Sequence, residues 1–195
     1  ATHLLREGQI VTVDGASGKV YLGKLDIPHT QAAAPKAERR GRVVGGATTT
    51  ATKLYVNLAE SEKALEIAKL ADGVGLLRAE FMVAALGEHP KAMVKAGRRD
   101  EYVAKLVSSL EPFVKAFHPH PVVYRGTDFK TNEYRGLKGG EEYEPHEENP
   151  MIGYRGAFRY VSDPDLFQAE LEALQEIRGR RGYDNLWLMI PFVRT

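Results

Sequence analysis

Two short apolar runs in this 195-residue sequence end in arginine, Leu77-Arg78 and Tyr124-Arg125, and a third arginine lies in Asn149-Pro150-Met151-Ile152-Gly153-Tyr154-Arg155-Gly156. A guanidinium presents a planar fork of donors that grips two oxygens of one phosphate or carboxylate at once, which a lysine ammonium does not. Arginines at the ends of strands therefore point to an oxyanion site. The same residues have a purely structural reading, in which each arginine pairs with a nearby acid such as Glu80, Asp128 or Glu133. Spacing alone leaves both readings open. Other candidates are weaker. His118 and His120 alternate with Pro119 and Pro121 ahead of a strand, so a turn is expected there and no metal site, because zinc needs further ligands. Glu141, Glu142, Glu144, Glu147 and Glu148 read as a solvated acidic loop, and neither Gly45-Gly46 nor Gly139-Gly140 has the following lysine of a phosphate-binding loop.

The elements that must position these arginines follow from apolar periodicity. Gln9 to Val13 alternates apolar and polar residues, breaks at Asp14 to Gly18, and resumes in Lys19 to Leu22, which predicts a β-hairpin. From Ile27 the pattern gives way to prolines, alanines and a charged run, predicting a linker over 27–52. Beyond it, strands are expected at Leu54 to Leu58, Val74 to Leu77, Val122 to Tyr124 and Leu186 to Val193. Between them, helices are expected at Ser61 to Ala71 and at Asp100 to Phe117, the second bent by Pro112, and one starts at the cap-like Asp163-Pro164 with Phe167, Leu171, Leu174 and Ile177 on one face. A long polar loop is expected from Gly126 to Asn149. Nearly continuous apolar strands alternating with helices mean βαβ units and a parallel sheet. The fold class is α/β: a partial (β/α)8 TIM-type barrel of about four parallel strands, preceded by a small β segment. The last strand runs to the chain end without its covering helix, so a truncated barrel is expected.

Composition narrows the function classes. Lys plus Arg number 27 against 26 Asp plus Glu, which provides no global field for nucleic acid or an anionic membrane. The basic run Lys36 to Arg42 contains no aromatic residue to stack on bases. There is no cysteine, hence no disulfide framework or thiolate site, and no run of about 18 apolar residues to span a bilayer. A cytoplasmic protein is expected.

The arginines sit in wording more specific than their spacing. Gly75-Leu76-Leu77-Arg78-Ala79-Glu80-Phe81, Arg125-Gly126-Thr127-Asp128-Phe129-Lys130-Thr131-Asn132-Glu133-Tyr134 and Glu147 to Gly156 occur in order, joined by Gly139-Gly140-Glu141-Glu142-Tyr143-Glu144-Pro145 and Met189-Ile190-Pro191-Phe192-Val193-Arg194-Thr195. In these motifs the chain resembles the PEP-utilising enzymes, and among them the phosphoenolpyruvate synthases (pyruvate, water dikinases). The resemblance implies a barrel that binds pyruvate or phosphoenolpyruvate, served by a mobile domain whose phosphohistidine shuttles from an ATP site. It implies that Arg78, Arg125 and Arg155 contact the phosphoryl group, with Arg78 and Arg125 catalytic, and that Asp128 and Glu133 orient them. Residues 1–26 would be the tail of the mobile domain, 27–52 its linker and 53–195 the first half of the barrel.

The departures set expectations too. None of His3, His29, His89, His118, His120 and His146 has the context of the family's phosphorylated histidine. The resemblance implies a magnesium ion whose ligands lie outside this chain, and a cysteine likewise outside it. The chain alone is therefore expected to be inactive and to associate with further copies through its open barrel half. The alternative from another class is a noncatalytic, self-associating half-barrel that binds an anion.

Overall fold

The computed structural model describes residues 5–14, 18–25 and 51–194. The chain divides into two compact units, Ala1–Thr49 and Thr50–Thr195. In the first, strand β1 (Val11–Asp14) pairs antiparallel with β2 (Lys19–Leu22), Val11 opposite Leu22 and Asp14 opposite Lys19. Thr12 ties the hairpin's far side, its Oγ1 donating to the Gly23 carbonyl at 2.7 Å and accepting from the Leu25 amide at 2.9 Å. Most of the expected linker, residues 27–50, lies outside the described residues.

The second unit is built on a four-stranded sheet in chain order, β3 (Tyr55–Leu58), β4 (Gly73–Arg78), β5 (Val122–Arg125) and β6 (Leu186–Met189), every pair parallel. Eight helices accompany it among the described residues: α1 (Ala64–Ile67), α2 (Ala79–Ala84), α3 (Pro90–Lys95), α4 (Arg99–Phe117), α5 (Thr131–Arg135), α6 (Gly140–Tyr143), α7 (Ala157–Ser162) and α8 (Pro164–Gln175). The partial parallel barrel expected from sequence is the fold observed.

The core follows the periodicity. Tyr102, Leu106, Leu110, Phe113, Val114 and Phe117 recur every three or four residues along α4 and are all buried, so this face meets β5, α1 and α8. Each such aliphatic side chain contributes about 1.5–3 kcal/mol by leaving water. Pro112 stays inside α4. Ala169, Ala173, Leu174 and Ile177 bury the matching face of α8 and its continuation.

Several expectations need correction. The helix over Ser61 to Ala71 is only a 3-10 turn followed by the single turn of α1. It tightens early, the Leu70 amide donating to the Ile67 carbonyl at 2.8 Å, because Asp72 must reach Leu54 at the start of β3, whose amide it accepts at 2.8 Å. The fourth strand ends at Met189 and not at Val193. Pro191 has no amide to extend the ladder and Phe192 turns away with φ 50°. The polar loop Gly126 to Asn149 contains α5 and α6, and its acids are not all solvated: Glu144 is 2% exposed. Asp163 occupies the position before α8 without capping it; its carboxylate takes the Lys91 ammonium. His118 and His120 do lie in a turn, between α4 and β5.

Candidate functional site

Arg78 and Arg125 are register partners across the β4–β5 ladder, at the C-terminal ends of both strands. Side chains alternate along a strand, and Leu77 and Tyr124 are buried against the helices, so the arginines leave on the other side. They line an open cavity of about 470 Å³ with Arg155, Asp128, Glu133 and Lys130. The three arginines and two acids singled out in the sequence share this one cavity.

The first turn of α2 follows Arg78 directly and carries Glu80. Glu80 reaches across to β5, where its Oε1 accepts from Arg125 Nη2 at 2.7 Å and from the Asp128 amide at 3.2 Å. Glu80 Oε2 and Arg125 Nε are buried without a partner among the described residues. Arg155 is held more completely: its Nε and Nη2 donate to Asp128 Oδ1 and Oδ2 at 2.8 and 2.7 Å, and its Nη1 donates to the Met151 carbonyl at 3.1 Å. The hydrogen bonds to Asp128 raise the pKa of Arg155 further above its ordinary value. Its guanidinium also lies 4.0 Å from the centre of the Phe192 ring, a cation–π contact. Gly156 makes this approach possible: it has φ 56°, and a Cβ there would stand 2.6 Å from the Pro191 carbonyl.

Arg78 differs from the other two. It is exposed, it faces Phe81 at 6.0 Å, and among the described residues it has no carboxylate partner. The cavity thus holds one uncommitted cation, one partly committed (Arg125) and one fixed by a two-bond carboxylate pair (Arg155). Arg125 and Arg155 do pair with acids, as the structural reading has it, and the pairs leave donors facing one space. Glu133 takes Lys130 and no arginine, its Oε2 accepting the Lys130 amide at 3.1 Å and its Oε1 lying 2.9 Å from Lys130 Nζ, at the start of α5. A wider groove of about 550 Å³ beside α4 is lined by charges that pair with each other, such as Arg180 and Arg181 with Glu176, and offers no free cation.

A buried ionic cluster fixes the loops behind the cavity. Arg159 Nη1 and Nη2 donate to Glu144 Oε1 and Oε2 at 2.5 and 2.8 Å, and Nη2 also donates to the Tyr154 carbonyl at 3.0 Å. His89 Nδ1 accepts the Lys91 amide at 3.1 Å, which puts the ring proton on Nε2, 2.8 Å from Glu144. Burial alone would raise the Glu144 pKa; the His89 and Arg159 hydrogen bonds outweigh it and hold the carboxyl below its usual value. Glu80 was among the acids expected to pair with these arginines, without its partner being assigned, and Arg159 was not singled out in the sequence. Glu80 stood two residues beyond Arg78, a position that the first turn of a helix brings back over the strand end.

Residues 37–195 match the family described as PEP-utilising enzyme, PEP-binding domain. The chain is 43% identical over 195 residues to a phosphoenolpyruvate synthase of Pyrococcus furiosus, covering 99% of this chain and 24% of that protein. It is 40% identical over 209 residues to a probable phosphoenolpyruvate synthase of Staphylothermus marinus, covering 100% of this chain and 25% of that protein. With a phosphoenolpyruvate synthase of Neisseria meningitidis serogroup B the identity is 38% over 224 residues, 100% of this chain and 27% of that protein. The chain spans about a quarter of the length of these curated relatives.

Proposed function

The chain belongs to the PEP-utilising enzymes through their PEP-binding domain, and from this we propose that it is the pyruvate- and phosphoenolpyruvate-binding part of a cytoplasmic pyruvate, water dikinase. The overall reaction converts ATP, pyruvate and water to AMP, phosphoenolpyruvate and phosphate, with the phosphoryl group carried on a histidine of a separate domain. The observation that carries the reading is the register pairing of Arg78 with Arg125 at the mouth of two parallel strands, with Arg155 in the same cavity.

In the synthetic direction the phosphorus–nitrogen bond of the carrier histidine breaks as a phosphorus–oxygen bond forms to the enolate oxygen of pyruvate. Charge then spreads over the three equatorial phosphoryl oxygens, and catalysis is mostly positioning and neutralisation. Arg78 and the free donors of Arg125 meet those oxygens. Glu80 and Asp128 keep the planes of Arg125 and Arg155 fixed, so little reorganisation accompanies transfer. Magnesium, which the resemblance implies, does not fit this cavity: Glu80 and Asp128 are taken up by arginines, and among the described residues no three His, Asp or Glu side chains gather to hold a metal. No step assigned to these residues passes through it.

The test is titration of the isotope-labelled chain with phosphoenolpyruvate. The arginine Nε signals of Arg78, Arg125 and Arg155 should shift, and Arg78→Ala should weaken binding about tenfold or more, the worth of one charge-assisted contact. Unmoved signals at millimolar ligand would overturn the reading. The chain alone should form no phosphoenolpyruvate from ATP and pyruvate, with or without magnesium. The second reading, a noncatalytic self-associating module, draws on the exposure of β6, where Trp187 is 62% exposed. Inorganic phosphate binding as tightly as phosphoenolpyruvate would favour it.

A further inference from the structure

We propose that Glu170 is a positioning residue for the arginine site, holding from behind the sheet the turn that joins Arg125 to Asp128. The positioning itself stands on geometry; its consequence for the ligand rests on the function proposed above. Glu170 is 3% exposed and lies on the apolar face of α8, three residues after Phe167 and four before Leu174. Its Oε1 accepts from the Tyr124 hydroxyl at 3.0 Å and from the Thr127 amide at 3.1 Å. On the other side of the same residue the Tyr160 hydroxyl donates to the Thr127 carbonyl at 2.6 Å. Side chains from α8 and α7 therefore hold both backbone polar groups of Thr127.

The neighbouring peptides are tied elsewhere, the Gly126 amide to the Met189 carbonyl at 3.0 Å and the Asp128 amide to Glu80. A shift of the Thr127 peptide moves Asp128, and with it the two-bond pair that orients Arg155 and the Glu80 contact that orients Arg125. There is little slack, since a Cβ at Gly126 would stand 2.8 Å from the Tyr160 hydroxyl. Without the Glu170 carboxyl, the buried Thr127 amide loses the acceptor it donates to, and the turn must move to satisfy it.

The surroundings of Glu170 favour the uncharged acid. The titratable groups facing it are Tyr124 of β5, Tyr102 of α4, Tyr134 of α5, Tyr160 of α7 and Glu80 of α2; Asp163, just before α8, lines a small cavity with it, as does Arg159, which is engaged by Glu144. Burial pushes the carboxyl up to about 8, against the hydrogen bonds from Tyr124 and the Thr127 amide. Ionisation in mild alkali sets a charge without a counterion behind the turn.

The test uses the 195-residue chain with Glu170→Gln, which keeps the carbonyl acceptor, and Glu170→Leu, which removes it. In the parent chain the Thr127 and Asp128 amide signals should move with a midpoint near pH 8; in Glu170→Gln they should stay still. A carboxyl raised in the folded state loses stability as pH climbs from its unfolded value of 4.5 toward 8. The melting temperature of Glu170→Gln relative to the parent should therefore rise across that range. Phosphoenolpyruvate affinity at pH 7 should stay within about threefold in Glu170→Gln and fall about tenfold or more in Glu170→Leu, below its melting temperature. Amides that do not titrate in the parent chain, or a folded Glu170→Leu with parental affinity and unmoved Thr127 and Asp128 signals, would overturn the proposal. If Glu170→Leu does not fold, the pH series of the parent and Glu170→Gln decides. A parent chain that leaves phosphoenolpyruvate unbound counts against the proposed function, while the amide titration still decides the positioning role.

Discussion

Arg125 bears two demands at once, an ion pair with Glu80 and a donor surface toward the cavity. In a complete enzyme carrying this segment, Arg125→Lys keeps the charge but loses the fork. A ground-state anion is still drawn in, while the contacts that strengthen in the transition state go, and turnover should fall on the order of 100-fold. Turnover and melting temperature measured on one preparation check this; a stable, fully active variant would remove Arg125 from the site. Glu144 carries a different prediction. Its carboxyl is lowered from its ordinary 4.5, so its contribution is complete above that pH and is lost as the pH falls below it. Glu144→Gln strands the buried Arg159 charge and should cost about 3–5 kcal/mol at pH 7. Melts between pH 7 and pH 3 should show the variant losing less on acidification than the parent. The arginines were legible because strand ends could be read from apolar runs. The acids Glu80 and Asp128 were named as partners too, but which arginine takes which was not legible: Glu133 is closer to Arg125 in sequence than Glu80 is, yet faces Lys130 at the start of α5.

At the scale of elements, legibility tracked length. The 19-residue α4 and the 12-residue α8 each show several turns of apolar repeat, and both were found. Helices α2, α3 and α5 to α7 have four to six residues each, too few for a period of 3.6 to register. They are held by tertiary contacts such as the Arg159 and Glu144 pair. Glu170 sat in plain view as an acid at a core position of α8, a conflict between pattern and residue type that marks function or strain. The contrast between buried and exposed helix positions gives a direct check of the packing. Leu110→Ala, at a fully buried site of α4, should cost about 2–5 kcal/mol. Leu65→Ala, at a position 70% exposed, should leave the unfolding free energy from denaturant curves within about 0.5 kcal/mol of the parent.

For the molecule as a whole, the four-stranded sheet has two edges, β3 and β6, and both carry exposed apolar residues, among them Tyr55, Trp187 and Met189. Open strand edges with apolar flanks pair with other chains. The 195-residue chain should therefore associate in solution, with light scattering showing dimers or larger species at micromolar concentration; a monomer at every concentration would mean that these edges are covered from within the chain. The parallel order was evident from the alternation of strands and helices. The hairpin β1–β2 was evident too, from its alternation and its glycine-rich break. The end of the first helical segment was not, since Asp72 acts through Leu54, a partner distant in sequence.

The pairing of Arg78 with Arg125 also sets a gauge. Adjacent strands in a sheet stand about 4.8 Å apart, so the interval between the two side-chain origins belongs to the hydrogen-bonded ladder and is independent of loop length. Segments inserted after Ala84 or near Gly97 can lengthen the path between the strands without widening that interval. A single residue added within Val122–Arg125 instead turns Arg125 toward the helices and brings its neighbour to the cavity. The segment between the two arginines is thus free to vary in length, while the four residues of β5 are fixed in number.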